Sequence, residues 1–358
     1  VGSPHLHHRV PARAGLTVMN TTVNTLAAAL AFVALPACAA LPGVGVQSFA
    51  LIGDTPYGLA NEAKFERVID AINADPNVRF VVHTGDVKAG SERCDDDLLA
   101  RRHDILQRFE DGVIVTPGDN DWTDCHRANN GSYQPLERLA KFREIFYSDP
   151  RRSGGQHPFK LRTQADMAGF ANFPENRLWH FNGATLATVH VVGSNNGLAP
   201  WSGIDPADSY DAPRADRVAE ASAREAAALA WIDAAFDDAT ARRAPGVLLA
   251  IQANLNLDLP AADRERQGFN TLIERIVARA QAFKKPVVVA HGDSHYYRVD
   301  KPFVAPIQPA GVCMVENLTR MENFGAGDVH WVEVFVDPQD PNVFRAEPRL
   351  LQITFHPR

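Results

Sequence analysis

Carboxylates follow directly after apolar runs at four places in this chain of 358 residues. Each run ends in Gly-Asp, and the aspartates are Asp54, Asp86, Asp119 and Asp293. Apolar runs of this kind are typical of buried strands in an α/β sheet. Because ligands bind at the carboxyl ends of parallel strands, we expect the four carboxylates to meet at one edge. Carboxylates that close together repel each other unless a cation lies among them, so the pattern predicts a metal site.

The overall composition is that of a globular protein, with 45% hydrophobic and 22% charged residues. The 36 basic and 43 acidic residues give a net charge of −7, without a long run of either sign. This balance argues against a basic groove for nucleic acid. An acidic protein that binds an anionic substrate needs local positive charge, and a metal ion would supply it.

Apolar and amphipathic segments alternate from Val46 onward, which predicts a largely parallel sheet with crossover helices. The tail from Val329 to Phe355 has alternating, aromatic-rich runs that predict antiparallel strands of a second sheet. Without a repeat or a clear linker, residues 46–358 are expected to form one domain. The predicted strands are 46–53, 78–84, 113–116, 184–192, 247–251 and 287–290, and the predicted helices are 59–72, 95–109, 135–146, 215–236 and 264–283.

Residues 1–39 are predicted to be a leader and not part of the fold. The apolar stretch 26–35 is too short for a membrane span and fits a signal-peptide core before Ala37-Cys38-Ala39. Leu35-Pro36-Ala37-Cys38 also resembles a lipobox, in which Cys38 would carry lipid. We therefore expect a periplasmic or secreted protein, either plainly cleaved or lipid-anchored. A disordered end followed by a buried helix is the remaining interpretation.

The cysteines fit an exported protein. Cys94 and Cys125 each follow a Gly-Asp strand end by a few residues, so we expect them in neighbouring loops. In an oxidising compartment they would form a disulfide. Closing a loop of about 30 residues would stabilise the fold by about 3 kcal/mol. Cys313 lies in an apolar run and is expected to be a buried thiol.

The order of the motifs resembles the calcineurin-like metallophosphoesterase superfamily. The family pattern is Asp-x-His, Gly-Asp, Gly-Asn-His-Asp/Glu, a lone His and Gly-His-x-His. The resemblance implies a β-sandwich of mixed sheets flanked by helices, and two divalent metals bridged by the second-motif aspartate. The corresponding segments here are Gly53-Asp54, Gly85-Asp86, Pro117-Gly118-Asp119-Asn120-Asp121 and Gly292-Asp293-Ser294-His295.

Several ligand positions carry oxygen donors where the family has imidazoles. Asp293 replaces the first His of Gly-His-x-His, and Gln252 or Asn254 could offer an amide oxygen in place of the lone His. At Pro56, where the family has its first His, one ligand is missing. Such a set favours Mn²⁺, Mg²⁺ or Ca²⁺, with Fe and Zn²⁺ as alternatives, and one or two ions could bind. The implied ligands are Asp54, Asp86, Asp119, Asp293 and His295, with Gln252 as a further donor.

The third motif departs from the family at its catalytic position. Asn120 replaces the catalytic His, and it can orient a phosphate but cannot protonate a leaving group. General-acid help is typically worth ~10²–10⁴-fold. Asp121 is a further catalytic candidate, and His126 or His83 could supply the proton. Three cations beyond the motifs could bind phosphate oxygens, or could be solvated loop charges: Lys88, Arg127 and Arg298.

The sequence therefore predicts an enzyme that hydrolyses a phosphomonoester or phosphodiester with metal-activated water. The departures at Pro56, Asn120 and Asp293 leave open a non-catalytic, metal-stabilised binding protein on the same fold. Gly292-Asp293-Ser294 and 118–121 also resemble two blocks of the SGNH serine esterases, in reversed order. A small phosphate ester is the expected partner, and lipid on Cys38 would be the one link to a membrane.

Overall fold

The computed structural model describes residues 45–306, 311–327 and 330–351. The leader 1–39 lies outside these residues, so the signal peptide, the lipid on Cys38 and the boundary before the domain 46–358 stay predictions. Within the described ranges, no helix has both the length and the apolar character needed to cross a bilayer.

Short strands and longer helices alternate along the chain. The strands are β1 (Gln47–Ile52), β2 (Val78–His83), β3 (Gly112–Val115), β4 (Arg162–Thr163), β5 (Arg177–Phe181), β6 (Ala184–Thr188), β7 (Val247–Ala250), β8 (Val287–His291), β9 (Arg298–Asp300), β10 (Val304–Pro306), β11 (Val312–Met314), β12 (Leu318–Glu322), β13 (His330–Val336) and β14 (Phe344–Leu350). The right-handed α-helices are α1 (Leu59–Asn73), α2 (Asp96–Leu106), α3 (Pro135–Phe146), α4 (Ala215–Ala241), α5 (Arg264–Gln267) and α6 (Asn270–Phe283). Gly193–Gly197 forms a short helical turn whose backbone is left-handed at residues 194–196.

The strands form two mixed sheets and a separate hairpin. The first sheet has five strands in the order β14-β13-β1-β2-β3, with β1, β2 and β3 parallel and β13 antiparallel to β1. The second has seven strands in the order β4-β5-β6-β7-β8-β12-β9, with β6, β7, β8 and β12 parallel. The pair β10-β11 forms the hairpin. Parallel strands in each sheet therefore end at a common edge.

The two sheets pack face to face, because their inner faces are apolar. Phe49 and Phe80 of the first sheet belong to one buried cluster with Leu248, Val288 and Met321 of the second. Each buried side chain of this size contributes about 1.5–3 kcal/mol. On the outer faces, helices α1, α2 and α3 pack on the first sheet, and α4 and α6 pack on the second. The predicted fold class, a β-sandwich of mixed sheets flanked by helices, is confirmed.

Three local predictions are corrected. The helix expected over 264–283 is interrupted at Gly268, whose backbone N–H donates to Asn195 Oδ1 (2.8 Å). A Cβ at Gly268 would lie 2.4 Å from the Asn195 carbonyl oxygen, so the close approach of this loop requires glycine. The strand expected over 184–192 ends at Thr188. Cys313 is exposed in β11 and is not the buried thiol that its apolar neighbours suggested.

Candidate active site

The carboxyl ends of the two sheets meet at one edge of the sandwich. The backbone N–H of Asp293, after β8, donates to both carboxylate oxygens of Asp54, after β1, at 3.0 and 3.1 Å. The side chain of Gln252, after β7, reaches Asp86, after β2, with Nε2 3.1 Å from Oδ2. Gln252 Nε2 also lies 3.2 Å from Oδ1 of Asp119, after β3. The four Gly-Asp aspartates therefore converge, although they come from both sheets.

Two of the motif glycines are required by the carboxylates beside them. A Cβ on Gly118 would lie 1.9 Å from Asp86 Oδ1, and a Cβ on Gly292 would lie 2.0 Å from Asp54 Oδ2. The backbone is also unusual at Asp54, Asp86 and Asp293, with φ of 55°, 56° and 77°. Such left-handed conformations cost free energy outside glycine and concentrate at functional sites.

One part of the site, here called the amide half, consists of Asp86, Asp119 and Gln252. Besides Gln252, the Asp86 carboxylate accepts the Asn120 backbone N–H (3.0 Å) and the Asn120 Nδ2–H (2.8 Å). Asp119 Oδ1 accepts the same backbone N–H (3.1 Å), and the Ser194 hydroxyl lies 2.9 Å from Asp119 Oδ2. Protein donors therefore contact both oxygens of both carboxylates.

The other part, here called the imidazole half, consists of Asp54, Asp293 and His295. His295 Nε2 lies 3.5 Å from Asp54 Oδ1, and the His295 side chain is 35% exposed. Asn323 Nδ2 lies 3.4 Å from Asp54 Oδ2, and the Asn254 backbone N–H donates to Asp293 Oδ2 (2.8 Å). This half carries two carboxylates and an imidazole at the accessible side of the site.

Burial and mutual repulsion disfavour ionisation of these carboxyls. Burial, followed by the charges of Asp119, Asp121, Asp54 and Asp293, raises the pKa of Asp86 well above its usual range. Burial, followed by Asp119 and Asp54, raises the pKa of Asp293 in the same way. Burial also raises the pKa of Asp54, with His295 acting in the opposite direction. Positive charge at this site would relieve the repulsion.

The charge and donor types of the site favour a metal ion, but its geometry does not. The donor set is rich in carboxylates with one imidazole, which suits a hard divalent cation. Within residues 45–306, 311–327 and 330–351, however, no three His, Cys, Asp or Glu side chains are grouped to hold a metal ion. The protein's own amide donors already contact Asp86 and Asp119. The imidazole half therefore supplies donor types that suit such a cation, but in the described residues neither half presents three of these ligands grouped around one point.

Gln252 differs from its predicted role. Its Oε1 accepts the Gly193 backbone N–H (2.7 Å), and its Nε2 is the atom near Asp86 and Asp119. Gln252 therefore donates to the carboxylates, and its amide oxygen is not available as the ligand that the sequence suggested.

Asn120 and Tyr57 form the rim of the site next to Asp86. The Tyr57 hydroxyl donates to Asp86 Oδ2 (3.3 Å) and lies 3.3 Å from Asn120 Nδ2. The Tyr57 ring also contacts the His295 ring edge-on, with centroids 5.4 Å apart. Burial, followed by the charges of Asp86 and Asp54, raises the pKa of Tyr57 well above 10. The phenol therefore keeps its proton at neutral pH, and the Asn120 amide is engaged in holding Asp86.

Asp121 and His126, predicted as catalytic candidates, are engaged elsewhere in the loop. The Asp121 carboxylate accepts backbone N–H groups from Asp86, Val87 and Gly118 at 2.8–3.0 Å, and burial raises its pKa to about 7. His126 Nδ1 accepts the Gly203 N–H (3.1 Å), and burial lowers the pKa of His126 to about 4. The structure thus gives Asp121 a loop-anchoring role and leaves His126 neutral at neutral pH.

His83, the other candidate proton donor, is also held by the backbone. Its Nε2 pairs with the Thr55 carbonyl oxygen (2.8 Å), and its Nδ1 accepts the Gly85 N–H (3.1 Å). Burial lowers the pKa of His83 to about 4, so this imidazole is neutral at neutral pH. It supports the turn that carries Asp86.

The three cations predicted to bind phosphate all have protein partners. Lys88 is fully buried, and its Nζ donates to Asn130 Oδ1 and to two backbone carbonyls at 2.8–3.1 Å. Arg127 pairs with Asp124 (2.7 Å), and Arg298 pairs with the buried Glu322 (2.6 Å). Lys88 is therefore a structural cation that a substrate cannot reach, whereas Arg127 keeps a 44% exposed side chain.

The predicted disulfide between Cys94 and Cys125 is confirmed, with 5.8 Å between the two Cα atoms. The serine-esterase alternative gains no support, because the partners described for Ser294 are Asn254 Nδ2 (2.8 Å) and the Glu322 carboxylate. A serine nucleophile needs an adjacent base such as His.

Sequence reasoning missed two further residues of the site. Asn323 contacts Asp54 and follows β12, a short strand that the apolar pattern did not reveal. The Ser194 hydroxyl also lies 2.8 Å from Asp124 Oδ1, and its single hydrogen can serve only one of the two carboxyls, Asp119 or Asp124, at a time. Burial, followed by the charge of Asp119, raises the pKa of Asp124 to about 7. Ser194 belongs to the Gly- and Asn-rich loop after β6, a composition that does signal a strand-end turn.

No family model and no curated protein matches the sequence. Among solved structures, the NAD nucleotidase NadN of Haemophilus influenzae has 12% identity and a TM-score of 0.41, covering 86% of this chain and 50% of that one. The phosphopantetheinyl hydrolase PptH of Mycobacterium tuberculosis has 16% identity and a TM-score of 0.38, covering 87% and 99%. GAP50, the anchor in the inner membrane complex of Plasmodium, has 11% identity and a TM-score of 0.37, covering 86% and 90%. This chain spans half the length of the nucleotidase. TM-scores this low establish neither a family nor a function for the chain.

Proposed function

We propose that this protein is a phosphoesterase of the calcineurin-like metallophosphoesterase type. It would hydrolyse a phosphomonoester or phosphodiester with a divalent cation bound at the acidic strand ends. The observation that carries the proposal is the convergence of four buried or half-buried carboxylates at one edge of the sandwich. Apolar residues of similar volume would be neutral or stabilising at such positions, so the retained charges favour a role in binding a cation.

The residues that would hold the cation are Asp54, Asp293 and His295, with Asp86 beside them. Their oxygen-rich set suits Mn²⁺, Mg²⁺ or Ca²⁺, with Fe and Zn²⁺ as alternatives. When bound, such a cation would polarise a phosphoryl oxygen and make a nucleophile from water at neutral pH.

The surrounding residues would position the acid groups and supply a proton. Asn120 fixes the orientation of Asp86 through two hydrogen bonds. The Tyr57 hydroxyl is a proton-bearing group beside Asp86, and it would protonate the leaving alkoxide where Asn120 cannot. Arg127 or Arg298 would contact the substrate only after leaving their present carboxylate partners.

A second candidate function is a non-catalytic binding protein on the same fold. Two observations favour it: Asn120 replaces a proton donor, and the described residues include no group of three acidic, imidazole or thiol ligands for a metal. In this case the carboxylates would bind a partner or a cation without hydrolysis.

Export to the periplasm or to the cell exterior is part of the proposal. The disulfide between Cys94 and Cys125 supports it, because disulfides persist mainly in oxidising compartments. Intact-mass analysis of the exported protein would give a mass without residues 1–39, or a lipid-modified Cys38 if the anchor exists. An unprocessed protein in the cytosol would contradict export.

Hydrolysis assays on metal-stripped protein test the proposed activity. p-Nitrophenyl phosphate and bis-p-nitrophenyl phosphate are suitable substrates because their leaving groups need no proton. We expect turnover to return with Mn²⁺, Mg²⁺ or Ca²⁺, and the preferred substrate to distinguish monoester from diester chemistry. Cation binding without turnover on either substrate would support the non-catalytic function instead.

A further inference from the structure

The side chain of Gln252 lies between two carboxylates of the site. Its Nε2 is 3.1 Å from Asp86 Oδ2 and 3.2 Å from Asp119 Oδ1, so one amide group bridges residues from two different strand ends. Gln252 is fully buried, and Asp86 and Asp119 are 2% and 7% exposed. The bridge therefore occupies the interior of the amide half and not its rim.

The orientation of the Gln252 amide is fixed from its other side. Gln252 Oε1 accepts the Gly193 backbone N–H (2.7 Å). A flipped amide would direct its N–H groups at the N–H of Gly193 and its oxygen at two carboxylates. Both contacts would be repulsive, so the donor side of the amide must face Asp86 and Asp119.

An amide in this orientation prevents a cation from bridging the two carboxylates. A divalent cation would have to approach both carboxylate oxygens to about 2.0–2.6 Å, where the amide nitrogen now lies within hydrogen-bond distance of each. The amide nitrogen carries hydrogens toward that point and offers no lone pair. The amide N–H groups instead supply the positive electrostatic potential that the paired carboxylates need.

We propose that Gln252 takes the place of a cation between Asp86 and Asp119, so that no metal ion bridges these two carboxylates. This inference rests on the proposed function, because it presupposes a cation beside Asp54, Asp293 and His295. It assigns Gln252 as the residue that sets the number of metal ions, and it separates this chain from a two-metal phosphoesterase mechanism.

The number of bound ions provides the test, and it does not depend on activity. Full-length protein, stripped of metal and then dialysed against Mn²⁺, is analysed for metal content per chain and for magnetic coupling between Mn²⁺ ions. Gln252→Glu replaces the bridging donor with a third carboxylate, and Gln252→Ala removes it. The matched control is Asn256→Asp, which adds the same charge to the same loop at a side chain that bonds the Glu265 carbonyl (2.8 Å).

We expect one uncoupled Mn²⁺ in the unmodified chain and in Asn256→Asp, and a coupled pair in Gln252→Glu. Gln252→Ala is expected to bind a second ion with lower affinity. This variant still tests the inference if Gln252→Glu does not fold. Two ions in the unmodified chain, or one in both Gln252 variants, would overturn the inference while leaving the proposed function intact. No bound ion in the unmodified chain would overturn the metal-dependent function and this inference with it.

Discussion

The two halves of the site stabilise buried negative charge in different ways. In the amide half, Asp86 and Asp119 receive hydrogen bonds from the protein's own amides and from a serine hydroxyl. In the imidazole half, Asp54 faces an imidazole 3.5 Å away whose side chain is 35% exposed. The comparison indicates that acidity alone does not define a cation site. What distinguishes the halves is that a buried side-chain amide bridges the two carboxylates of the amide half, whereas Asp54 in the imidazole half receives a backbone N–H and faces a partly exposed imidazole.

The largest expected effect separates the two halves directly. Asp54→Asn removes a carboxylate from the imidazole half, and we expect it to abolish Mn²⁺ binding and to lower hydrolysis by about 10³-fold or more. The matched change Asp119→Asn in the amide half is expected to retain one Mn²⁺. Calorimetric titration with Mn²⁺ measures metal binding by both variants. If only Asp119→Asn lost Mn²⁺ binding, the roles of the two halves would be reversed.

A smaller effect is expected from the Tyr57 hydroxyl, which lies between Asn120 and Asp86. Tyr57→Phe should slow hydrolysis of an alkyl phosphate on the order of 10²-fold, because an alkoxide needs a proton to leave. Hydrolysis of p-nitrophenyl phosphate should change only a few-fold. Tyr296→Phe, at a 66% exposed neighbour of His295, is the control and should leave both rates unchanged. Equal slowing on both substrates would exclude Tyr57 as the proton donor.

Asp121 is expected to affect stability more than chemistry. Asp121→Asn replaces one acceptor oxygen with a donor, so a buried backbone N–H loses its partner. We expect the free energy of unfolding to fall by about 1–3 kcal/mol, measured by urea denaturation. The matched surface change Asp97→Asn should be nearly neutral. An Asp121→Asn protein that keeps its stability but loses turnover would restore the catalytic assignment.

The smallest expected effect is the pH dependence of the metal-free protein. The pKa values of the buried carboxyls are raised in the folded state, so the folded state binds more protons than the unfolded state. The free energy of unfolding therefore falls as the pH rises through the pKa of the folded state, which is about 7 for Asp121. Burial lowers the pKa of His83 to about 4 and that of His291 to about 3, so these two groups make the free energy of unfolding rise with pH. Their effect is confined to pH values below about 6.5, the usual pKa of histidine.

Unfolding free energy should therefore fall by about 1 kcal/mol between pH 6.5 and 8 without metal. Added Mn²⁺ should reduce this loss, because the cation would bind the ionised forms of Asp54 and Asp293, whose pKa is also raised. A metal-free stability that rises over this interval would contradict the assigned burial of these carboxyls.

The strand ends could be predicted from the sequence because each apolar run and its Gly-Asp are local signals. The sequence shows a glycine at each of these strand ends, but it does not show why glycine is needed there. At Gly292, the atom that excludes a Cβ belongs to Asp54, which lies far away in the sequence. Short strands such as β9 and β12 have too few residues for a clear periodicity, so Asn323 after β12 was missed.

The roles of Gln252 and Lys88 depend on contacts that no local pattern contains. The Gln252 amide is oriented by Gly193, which follows a different strand. Lys88 looked like a loop cation in the sequence, yet its ammonium is bonded to Asn130 far along the chain. Residue type and spacing thus predict which groups converge, and the partners across the site decide what each group can do.

Anomalous X-ray scattering from a crystal grown with Mn²⁺ tests the difference between the halves most directly. Our interpretation requires one peak, within coordination distance of Asp54 and His295, with the Gln252 amide still bonded to Asp86 and Asp119. A peak between Asp86 and Asp119, or no peak at the strand ends, would contradict it.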